Sequence, residues 1–591
     1  MKVLFVHCNI NTGNGPHFVP GVASISAVLK QAGHTTRLIF VQKPMEAQDF
    51  LGRVEAEAPD IVGFSVVSNQ WNQSRHYTRL IRERFPQLPV IHGGVHITVA
   101  AEEALACPEI SLLCVGEGEH AMLELLERLQ AGRPYADIRN LWIKTPAGEI
   151  IRNPLRPLIQ DLDSLPLMDR DLFDFPIIYK KNSMDANILM VGRGCPFLCT
   201  YCVNHTLQKQ VFKGLGKYVR MRSPERAIEE LLDMKARYDI DWINIYDDTL
   251  TYDHGWLKKF CGLYREKVRL PFWCNIRLDT VTPAILKMLR ETGCTLLVAG
   301  IESGSERVRY QVLNRRMSNK KILDTYRLID ELGFKTKAYF ILGFPGETLA
   351  EMDETLEIHR QIKPNHSQLS IFYPYPHTAL YEQAKKMGYL TEQQNNSFFE
   401  ATSLALPEEI REAMPAKVAR FRDDAFQIKL TKEGRGSRFD FLRELPGALV
   451  KAGGDQYVAT TFANITYHER IVIFAHPESS IQYEVDLPAQ AWLKFALGIS
   501  PEVWSPEKGT GVHFEITVQD ETGEHLVFSQ YLDPKNNAED RRWVNVRLDL
   551  PQFKPGRKKI TFITTTKGQS NNFCWSMWDH PLLMSDEKAV D

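Results

Sequence analysis

Short apolar segments alternate with amphipathic helical segments from residue 1 to about residue 389 of this chain. An uninterrupted apolar strand between two helices is typical of a parallel sheet that is covered on both faces. Such strands are predicted before residue 142 at residues 3–7, 38–41, 61–65, 90–92 and 112–115. We therefore expect a first α/β domain over residues 1–141, with ligand-binding loops at the carboxyl ends of its strands.

A second run of strands and helices follows a Pro- and Asp-rich connection at residues 142–185, which we interpret as a linker. Its strands are predicted at residues 188–191, 242–246, 272–275, 296–301, 338–342 and 368–372. These strand–helix units favour a partial (β/α)6 TIM barrel over residues 186–395. In that fold, functional residues follow the carboxyl ends of the strands.

The pattern changes towards the end of the chain. Residues 396–438 are predicted to form a helical connection, and beyond residue 439 apolar residues recur at every second position. Val512, Phe514 and Ile516, for example, alternate with polar residues. Such strands, separated by turn residues, favour an all-β sandwich over residues 439–591. The predicted fold class is therefore a multidomain α/β protein with a C-terminal β-sandwich.

Composition argues against several classes of function. The 71 basic and 73 acidic residues give a formal net charge of -2, so nothing favours nucleic acid as a partner. No apolar run approaches the roughly 20 residues that span a bilayer, and the first apolar stretch is too short for a signal peptide. We expect a cytoplasmic protein without a transmembrane segment, whose cysteines are reduced.

Three cysteines lie close together, at Cys195, Cys199 and Cys202, directly after the first strand of the second run. Thiolates with this spacing on one loop can bind a single cluster, and iron–sulfur clusters normally take four cysteine ligands. No fourth cysteine is near in sequence, so one iron would stay open for a substrate or cofactor. A zinc site completed by His205 and a group of buried cysteines are alternatives, which the spacing favours less.

The segment Cys-x-x-x-Cys-x-Tyr-Cys, with Tyr201 at the aromatic position, resembles the signature of the radical SAM enzymes. The resemblance implies a [4Fe-4S] cluster held by the three cysteines, with an open iron that binds S-adenosylmethionine (SAM). It also implies reductive cleavage of SAM to a 5′-deoxyadenosyl radical, which abstracts hydrogen from an unactivated carbon. An electron donor such as ferredoxin or flavodoxin is expected as a partner.

Later loops agree with the same family, since each follows a predicted strand. Asp247 follows the second strand, where relatives contact the methionine part of SAM, although the usual Gly-Gly-Glu form is absent. Arg277 is expected to pair with the SAM carboxylate, and Glu302 to accept hydrogen bonds from the ribose. The SAM contacts that the resemblance implies are Tyr201, Asp247, Arg277, Glu302, Ser303 and Gly343.

The first domain resembles the Rossmann-like, flavodoxin-like cobalamin-binding domain that precedes many radical SAM barrels, through residues 60–65, 93–98 and 116–119. The implied cobalamin contacts are Asn9, Asn11, Ser65, Gly93, Gly94, His96, Gly116 and Glu117. The Asp-x-His-x-x-Gly motif of cobalamin mutases is absent from residues 9–17, so no protein imidazole is expected below the cobalt. His17 and His96 could instead be ordinary hydrogen-bonding residues. A flavodoxin-like domain with a nucleotide, or with no cofactor, is a further alternative.

The end of the chain loosely resembles galactose-binding-like sandwiches, because of the Trp-Ser-Met-Trp-Asp-His-Pro segment that begins at Trp575. Aromatic residues there could stack on a sugar or a lipid headgroup, but large apolar rings are more often core residues. The tryptophans concerned are Trp492, Trp504, Trp543, Trp575 and Trp578.

These resemblances together predict a cobalamin-dependent radical SAM enzyme. The favoured reaction is methylation of an unactivated carbon, in which one SAM supplies the methyl group through methylcobalamin and a second supplies the radical. The first alternative is oxidation, cyclisation or rearrangement without methyl transfer, as in BchE-like cyclases. The second is a glycan-binding or scaffold protein without catalysis. The expected partner is a small-molecule, lipid or glycosylated substrate, which no short motif identifies.

Overall fold

The computed structural model describes residues 1–10, 17–173, 187–391, 402–454, 457–465, 468–505 and 510–586. The chain divides into two compact units, of which the first ends at Asp423 and the second begins at Asp424. Both predicted α/β domains therefore belong to the first unit, which we call the α/β unit, and we call the second the β unit. In the described part of the chain, no helix is both long enough and apolar enough to cross a membrane.

The first sheet of the α/β unit consists of β1 (Lys2–Cys8), β2 (Thr35–Val41), β3 (Ile61–Ser65), β4 (Val90–Gly93), β5 (Leu112–Cys114), β6 (Leu141–Lys144) and β7 (Ile150–Arg152). The strand order is β2-β1-β3-β4-β5-β6-β7. Strands β1 to β5 are parallel, as the apolar runs predict, whereas β6 and β7 continue the sheet as an antiparallel hairpin. Leu4, Val62 and Leu113 are fully buried in this sheet because helices cover both of its faces.

The helices of this part are α1 (Pro20–Gln31), α2 (Ala47–Glu57), α3 (Trp71–Arg84), α4 (Val95–Val99), α5 (Ala101–Ala106) and α6 (Glu119–Gln130). Helix α1 begins with Pro20, whose fixed φ suits the first helical turn. Gly33 follows the end of α1 with a φ of 84°, a conformation that favours glycine.

The hairpin of β6 and β7 runs past the domain boundary predicted after Leu141. Because β6 pairs with β5, that boundary would divide the hairpin from its own sheet. The sequence pattern missed these two strands since they are short and no helix separates them. Part of the predicted linker is also buried, because Leu162 and Leu165 pack against Val28 of α1.

The next strands are β8 (Ile188–Leu189), β9 (Gly192–Arg193), β10 (Arg220–Met221), β11 (Ile243–Ile245), β12 (Phe272–Ile276), β13 (Cys294–Glu302), β14 (Lys335–Leu342) and β15 (His366–Ile371). Strands β9 and β10 form a separate antiparallel pair. The others form a parallel sheet in the order β15-β14-β13-β12-β11-β8. Neighbours in this sheet follow chain order, so the carboxyl ends of the strands lie along one edge.

The remaining helices are α7 (Val203–Thr206), α8 (Pro224–Arg237), α9 (His254–Lys267), α10 (Pro283–Thr292), α11 (Asn319–Glu331), α12 (Leu349–Ile362), α13 (Ala379–Lys386) and α14 (Glu408–Glu433). The α12 start is a capping box, in which Thr348 and Glu351 exchange side-chain and backbone hydrogen bonds. Helix α14 lies within the predicted connection at residues 396–438, whose part before residue 402 is outside the described residues.

The β unit contains β16 (Phe439–Asp440), β17 (Leu449–Lys451), β18 (Val458–Ile465), β19 (His468–Ala475), β20 (Ser479–Leu487), β21 (Ala491–Ile499), β22 (Val512–Asp520), β23 (Gly523–Leu532), β24 (Val544–Asp549), β25 (Gly556–Thr565) and β26 (Ser576–Ser585). They form two antiparallel sheets, β18-β19-β26-β21-β24 with β16 paired to β26, and β17-β20-β25-β22-β23. Apolar side chains from both sheets form one core cluster.

The tryptophans of the β unit differ in their surroundings. Trp578 and Trp543 are buried, which confirms the core interpretation for these two. Trp492 donates a hydrogen bond to Asp586 at 2.9 Å, and Trp504 donates one to the Ile499 carbonyl at 2.9 Å. Trp575 is only half-buried.

Candidate functional site

The cysteine loop begins where β9 ends. Gly194 has a φ of 82°, and a Cβ at this position would lie 2.6 Å from the Tyr218 carbonyl oxygen, so only glycine fits. The loop that follows carries Cys195, Cys199 and Cys202, all of them free thiols, with Cys199 buried and the other two partly exposed. The strand-end position predicted from the sequence is therefore the one observed.

Two arginines face Cys199. The Arg277 Nη1 atom lies 3.2 Å from the Cys199 Sγ atom, and its guanidinium stacks over the Phe197 ring at 3.8 Å. Arg315 is buried, with its Nη1 atom 3.9 Å from the same sulfur. Both guanidinium groups therefore place positive charge next to the Cys199 sulfur. Arg277, expected to pair with the SAM carboxylate, thus lies against the cysteine loop.

The donor set fits an iron–sulfur cluster. In the described part of the chain, no three His, Cys, Asp or Glu side chains are placed to hold a single metal ion. Burial raises the pKa of the Cys202 thiol to about 12 and also raises that of Cys195. Coordination would deprotonate them, because a bound metal converts a thiol to thiolate.

Glu302 ends β13 under Tyr201. Its φ is 70°, and the register of β13 against β14 shifts between Gly300 and Glu302. The carboxylate folds back over Gly300, where a Cβ would overlap with it. Burial raises the pKa of Glu302, although a hydrogen bond from Tyr201 opposes this shift. The irregularity turns this carboxylate towards the cysteine loop, as bulges beside active sites often do.

Ser303 and Gly343 make local contacts. The Ser303 Oγ atom lies 3.3 Å from the Thr355 Oγ1 atom of α12. The Gly343 N–H donates to the Glu347 carboxylate at 2.7 Å, and Gly343 has a φ of 83°. In this structure both residues shape the loops after β13 and β14, and their predicted contacts with SAM stay predictions.

Asp247 and Asp248 differ although they are adjacent. Asp247 is buried, and its carboxylate accepts hydrogen bonds from the Val191 N–H at 2.9 Å and the Gly192 N–H at 2.5 Å. Burial raises the pKa of Asp247 to about 7. Asp247, predicted as a SAM contact, therefore holds the backbone that leads into the cysteine loop.

Asp248 is exposed and belongs to a polar chain that the sequence argument missed. It accepts a hydrogen bond from the Asn204 Nδ2 atom at 3.0 Å, and Asn204 accepts one from the Tyr218 hydroxyl at 2.5 Å. The Asn204 Nδ2 atom also lies 3.7 Å from the Cys202 Sγ atom. The sequence does show two adjacent aspartates after the second strand, but it does not show which of the two side chains is buried.

A cavity of about 730 Å³ lies within the α/β unit, inside the size range of small-molecule sites. One wall is formed by the carboxyl ends of β3, β4 and β5. Another consists of residues that flank the cysteine loop and of the polar chain, namely Arg193, Gly194, Pro196, Asn204, Tyr218 and Asp248. The cavity therefore borders both the first sheet and the loop that carries the cysteines.

The predicted cobalamin contacts are distributed unevenly around this cavity. The residues that line it are Ser65, Gly93, Gly94, Gly116 and Glu117. His96 is not among them; its ring centroid lies 4.8 Å from that of Trp71, and its Nδ1 atom 3.2 Å from the Ser68 Oγ atom. Asn9 is not among them either and contacts His17 at 3.5 Å. Asn11 lies outside the described residues.

Several glycines line the wall formed by the first sheet. Gly94 has a φ of 97°, and a Cβ there would lie 2.6 Å from the Val66 backbone. The cavity continues between the sheet and helices α1 and α6, past Gly63 and Gly118 towards Ile25 and Met122. Backbone can approach a large flat ligand closely where side chains are absent. This wall therefore fits cobalamin.

Glu117, which was predicted to contact cobalamin, lines the cavity, but its carboxylate is already hydrogen-bonded to other groups of the protein. Its carboxylate accepts hydrogen bonds from Arg193 at 2.8 Å, Arg220 at 2.9 Å and the Ile159 N–H at 2.8 Å. Buried Glu119 accepts from the same Arg193 at 2.5 Å. We call these four charged side chains the Arg193 cluster. It joins the loop after β5 to strands β9 and β10, so Glu117 connects the first sheet to the cysteine loop.

A loop with three free cysteines at a strand end, next to a cavity with several glycines in its wall, is the arrangement expected of an α/β enzyme that combines a metal cluster with a large organic cofactor. Residues 189–358 match the radical SAM superfamily, and residues 6–126 match the B12 binding domain. The chain therefore carries a B12-binding domain and a radical SAM domain, which confirms the predicted pair of domains. Its cofactors are a [4Fe-4S] cluster, SAM and cobalamin.

Several known proteins resemble a large part of this chain. An uncharacterized methyltransferase of Pyrococcus horikoshii is 28% identical over 366 residues, which are 62% of this chain and 78% of that protein. An anaerobic magnesium-protoporphyrin IX monomethyl ester cyclase of Rubrivivax gelatinosus is 24% identical over 398 residues, 65% of this chain and 70% of that protein. The methyltransferase TsrM of Kitasatospora setae has the same fold over 70% of this chain and 82% of its own, with a TM-score of 0.52 and 16% identity.

Proposed function

We propose that the protein is a cobalamin-dependent radical SAM C-methyltransferase that acts on an unactivated carbon. The observation that carries this proposal is the cavity of about 730 Å³, because strand ends of the B12-binding domain form one wall and residues beside the cysteine loop form another. A small-molecule, lipid or glycosylated substrate held there would be within reach of both cofactors. A cytoplasmic location and a ferredoxin- or flavodoxin-type electron donor belong to the same proposal.

The residues around the cysteine loop would hold and orient the cofactors. When bound, the cluster and SAM supply a radical that removes hydrogen from carbon, and cobalamin supplies the methyl group. Cys195, Cys199 and Cys202 would hold the cluster. Arg277 and Arg315 would offset the negative charge of its thiolates, since both lie beside Cys199.

We assign the SAM ammonium group to Asp248 rather than Asp247. Both aspartates line the cavity, but both oxygens of Asp247 already accept backbone hydrogen bonds, whereas the Asp248 side chain is exposed. Its position is stabilised by Asn204, which a hydrogen bond from Tyr218 orients in turn. Glu302 stays the proposed partner of the ribose hydroxyls, and Tyr201 would position it.

Cobalamin would contact the backbone at Ser65, Gly93, Gly94 and Gly116. Glu117 would act indirectly, because its carboxylate is engaged with two arginines and a backbone N–H. In the finer description of the fold, we infer a Rossmann-like first domain, a partial (β/α)6 barrel and a β-sandwich. The strand orders of the four larger sheets support this description.

A second candidate is a radical reaction without methyl transfer. The 24% identity to the magnesium-protoporphyrin cyclase favours this alternative, because it extends over 398 residues, 65% of this chain and 70% of that protein. The two candidates differ in the fate of the SAM methyl group, which is transferred in the first and retained in the second.

Methyl-labelled SAM separates them before the substrate is known. The cobalamin-loaded, reconstituted enzyme is incubated anaerobically with the labelled SAM and a reductant, and mass spectrometry then follows the label in the cobalamin fraction. A methyltransferase is expected to transfer label to cobalamin. Formation of 5′-deoxyadenosine while the cobalamin stays unlabelled would overturn the methyltransferase proposal and support the second candidate.

The role of Asp248 is tested by SAM affinity. Loss of one hydrogen bond to a charged group costs about 1.5–3 kcal/mol, so Asp248→Asn should weaken SAM binding by about tenfold or more. Asp241→Asn is the matched control, because Asp241 is exposed and precedes β11. Equal affinities of the two variants would show that Asp248 does not contact SAM.

A further inference from the structure

A cleft of about 280 Å³ lies at one end of the β unit, separate from the cofactor site in its residues and chemistry. Its lining residues come from three places in the chain, namely shortly before β18, between β19 and β20, and shortly before β26. The residues that line it are Gly453, Tyr457, His476, Pro477, Glu478, Asn571, Asn572, Phe573 and Trp575. Loops at the end of a two-sheet β domain are common positions for binding sites.

Aromatic rings flank this cleft. Phe573 is 48% exposed, which is unusual for so large an apolar side chain, and Trp575 is half-buried. The Tyr457 ring packs on His476 with 4.9 Å between centroids. These rings offer apolar faces at an otherwise polar opening.

The Phe573 backbone is held in a strained conformation. Its φ is 57°, in the left-handed region that bulky residues rarely adopt. The neighbouring residues are anchored, since the Cys574 thiol contacts the Thr510 carbonyl at 3.2 Å and the Trp575 carbonyl accepts from the Ser500 N–H at 2.9 Å. Strain of this kind persists only where the surrounding structure enforces it, and it is frequent at ligand sites.

The side-chain amides of Asn571 and Asn572 lie beside the aromatic rings. Neither the Asn571 nor the Asn572 side chain has a hydrogen-bond partner among the residues that the structure describes. The carboxylate in the cleft is different, because Glu478 accepts from the Thr566 N–H at 2.9 Å and the Thr565 hydroxyl at 3.0 Å. The free groups are thus neutral amides, each able both to donate and to accept.

We propose that this cleft binds a neutral carbohydrate. The C–H face of a pyranose ring is apolar and can stack on Trp575 or Phe573, while its hydroxyl groups both donate and accept. The side chains of Asn571 and Asn572 match this requirement. The Glu478 carboxylate is already hydrogen-bonded within the protein, so it is not available to pair with a charged ligand. Such a site would bring a glycosylated substrate or a glycan-bearing surface to the enzyme.

The test uses the full-length protein and does not depend on its cofactors. Saturation-transfer difference NMR is recorded with methyl glycosides of glucose, galactose, mannose and N-acetylglucosamine, and with benzyl alcohol as an aromatic probe. We expect ring C–H signals from at least one sugar. Trp575→Ala and the double variant Asn571→Ala/Asn572→Ala should each weaken binding of that sugar at least tenfold.

Trp492→Ala is the matched control, because Trp492 is also partly exposed in the β unit but does not line the cleft. It should bind the sugar as the unmodified protein does, and circular dichroism checks that each variant folds. No sugar signal, benzyl alcohol as the only ligand, or sugar binding that survives both cleft variants would overturn the proposal. The methyl-label result is independent of each of these outcomes.

Discussion

The α/β unit and the β unit bury charge in different ways. In the α/β unit, Glu119, Arg277 and Arg315 are buried close to the cavity or the cysteine loop. The core cluster of the β unit is made of apolar side chains such as Phe514 and Trp578. Burying a charge costs free energy unless it is paired, so a concentration of paired buried charges is more easily explained by chemistry than by stability.

The largest expected effect concerns the Arg193 cluster. Arg193→Met would leave Glu119 buried without its main partner, and removing one member of a buried ion pair costs about 3–5 kcal/mol. Urea unfolding should therefore show a large loss in the free energy of unfolding. Arg152→Met is the control, because Arg152 pairs with Glu102 on the surface, and it should change stability little. Equal stabilities of the two variants would contradict a supporting role for the cluster.

The β unit also buries a side chain that can carry charge, that of His580. Burial alone would lower the pKa of His580, but hydrogen bonds to Asp440 and Glu433 raise it to about 9. A raised pKa adds stability that is fully present below about pH 6.5 and is lost as the pH rises through about 9. The contribution is up to about 3 kcal/mol.

This prediction is checked by unfolding the protein and His580→Gln at about pH 6 and about pH 10. The difference in the free energy of unfolding between the two proteins should be large at the lower pH and should shrink at the higher pH. A difference that does not depend on pH would mean that His580 is neutral in the folded protein.

The smallest effect concerns the glycine wall. In Gly94→Ala, the new Cβ would lie 2.6 Å from the Val66 backbone, and relief of this overlap should cost about 2 kcal/mol. Gly132→Ala is the matched control, because Gly132 also has a positive φ, 62°, but no atom within 4 Å of the added Cβ. It should cost about 1 kcal/mol. Thermal unfolding and cobalamin affinity measure the two variants, and equal losses would show that the close approach at Gly94 is unimportant.

Local patterns predicted the features that depend on local sequence. The alternation of apolar strands and helices predicted two largely parallel sheets, and it also predicted that the cysteine loop follows the first strand of the second sheet. Period-two segments such as Val512–Asp520 predicted the antiparallel β unit. Each of these features is set by burial of side chains at a regular spacing.

The sequence did not predict features that depend on contacts between residues far apart in the chain. Glu117 was predicted to contact cobalamin, and its ion pairs with Arg193 and Arg220, which lie far away in the chain, could not be predicted from the sequence. The choice between Asp247 and Asp248 depends on which side chain meets the backbone of β9. Strands β6 and β7 are too short for a regular spacing of apolar residues to be recognised. Spacing alone does not determine such tertiary contacts.

The central claim is that the three cysteines hold an iron–sulfur cluster to which SAM binds. It is tested most directly by electron paramagnetic resonance of the anaerobically reconstituted and reduced protein, recorded with and without SAM. We predict about four iron atoms per chain and a [4Fe-4S] signal that changes when SAM is added. Both should be lost when Cys195, Cys199 and Cys202 are changed to alanine, and both should be kept in Cys107→Ala. Zinc in place of iron, or a signal that does not respond to SAM, would contradict the account.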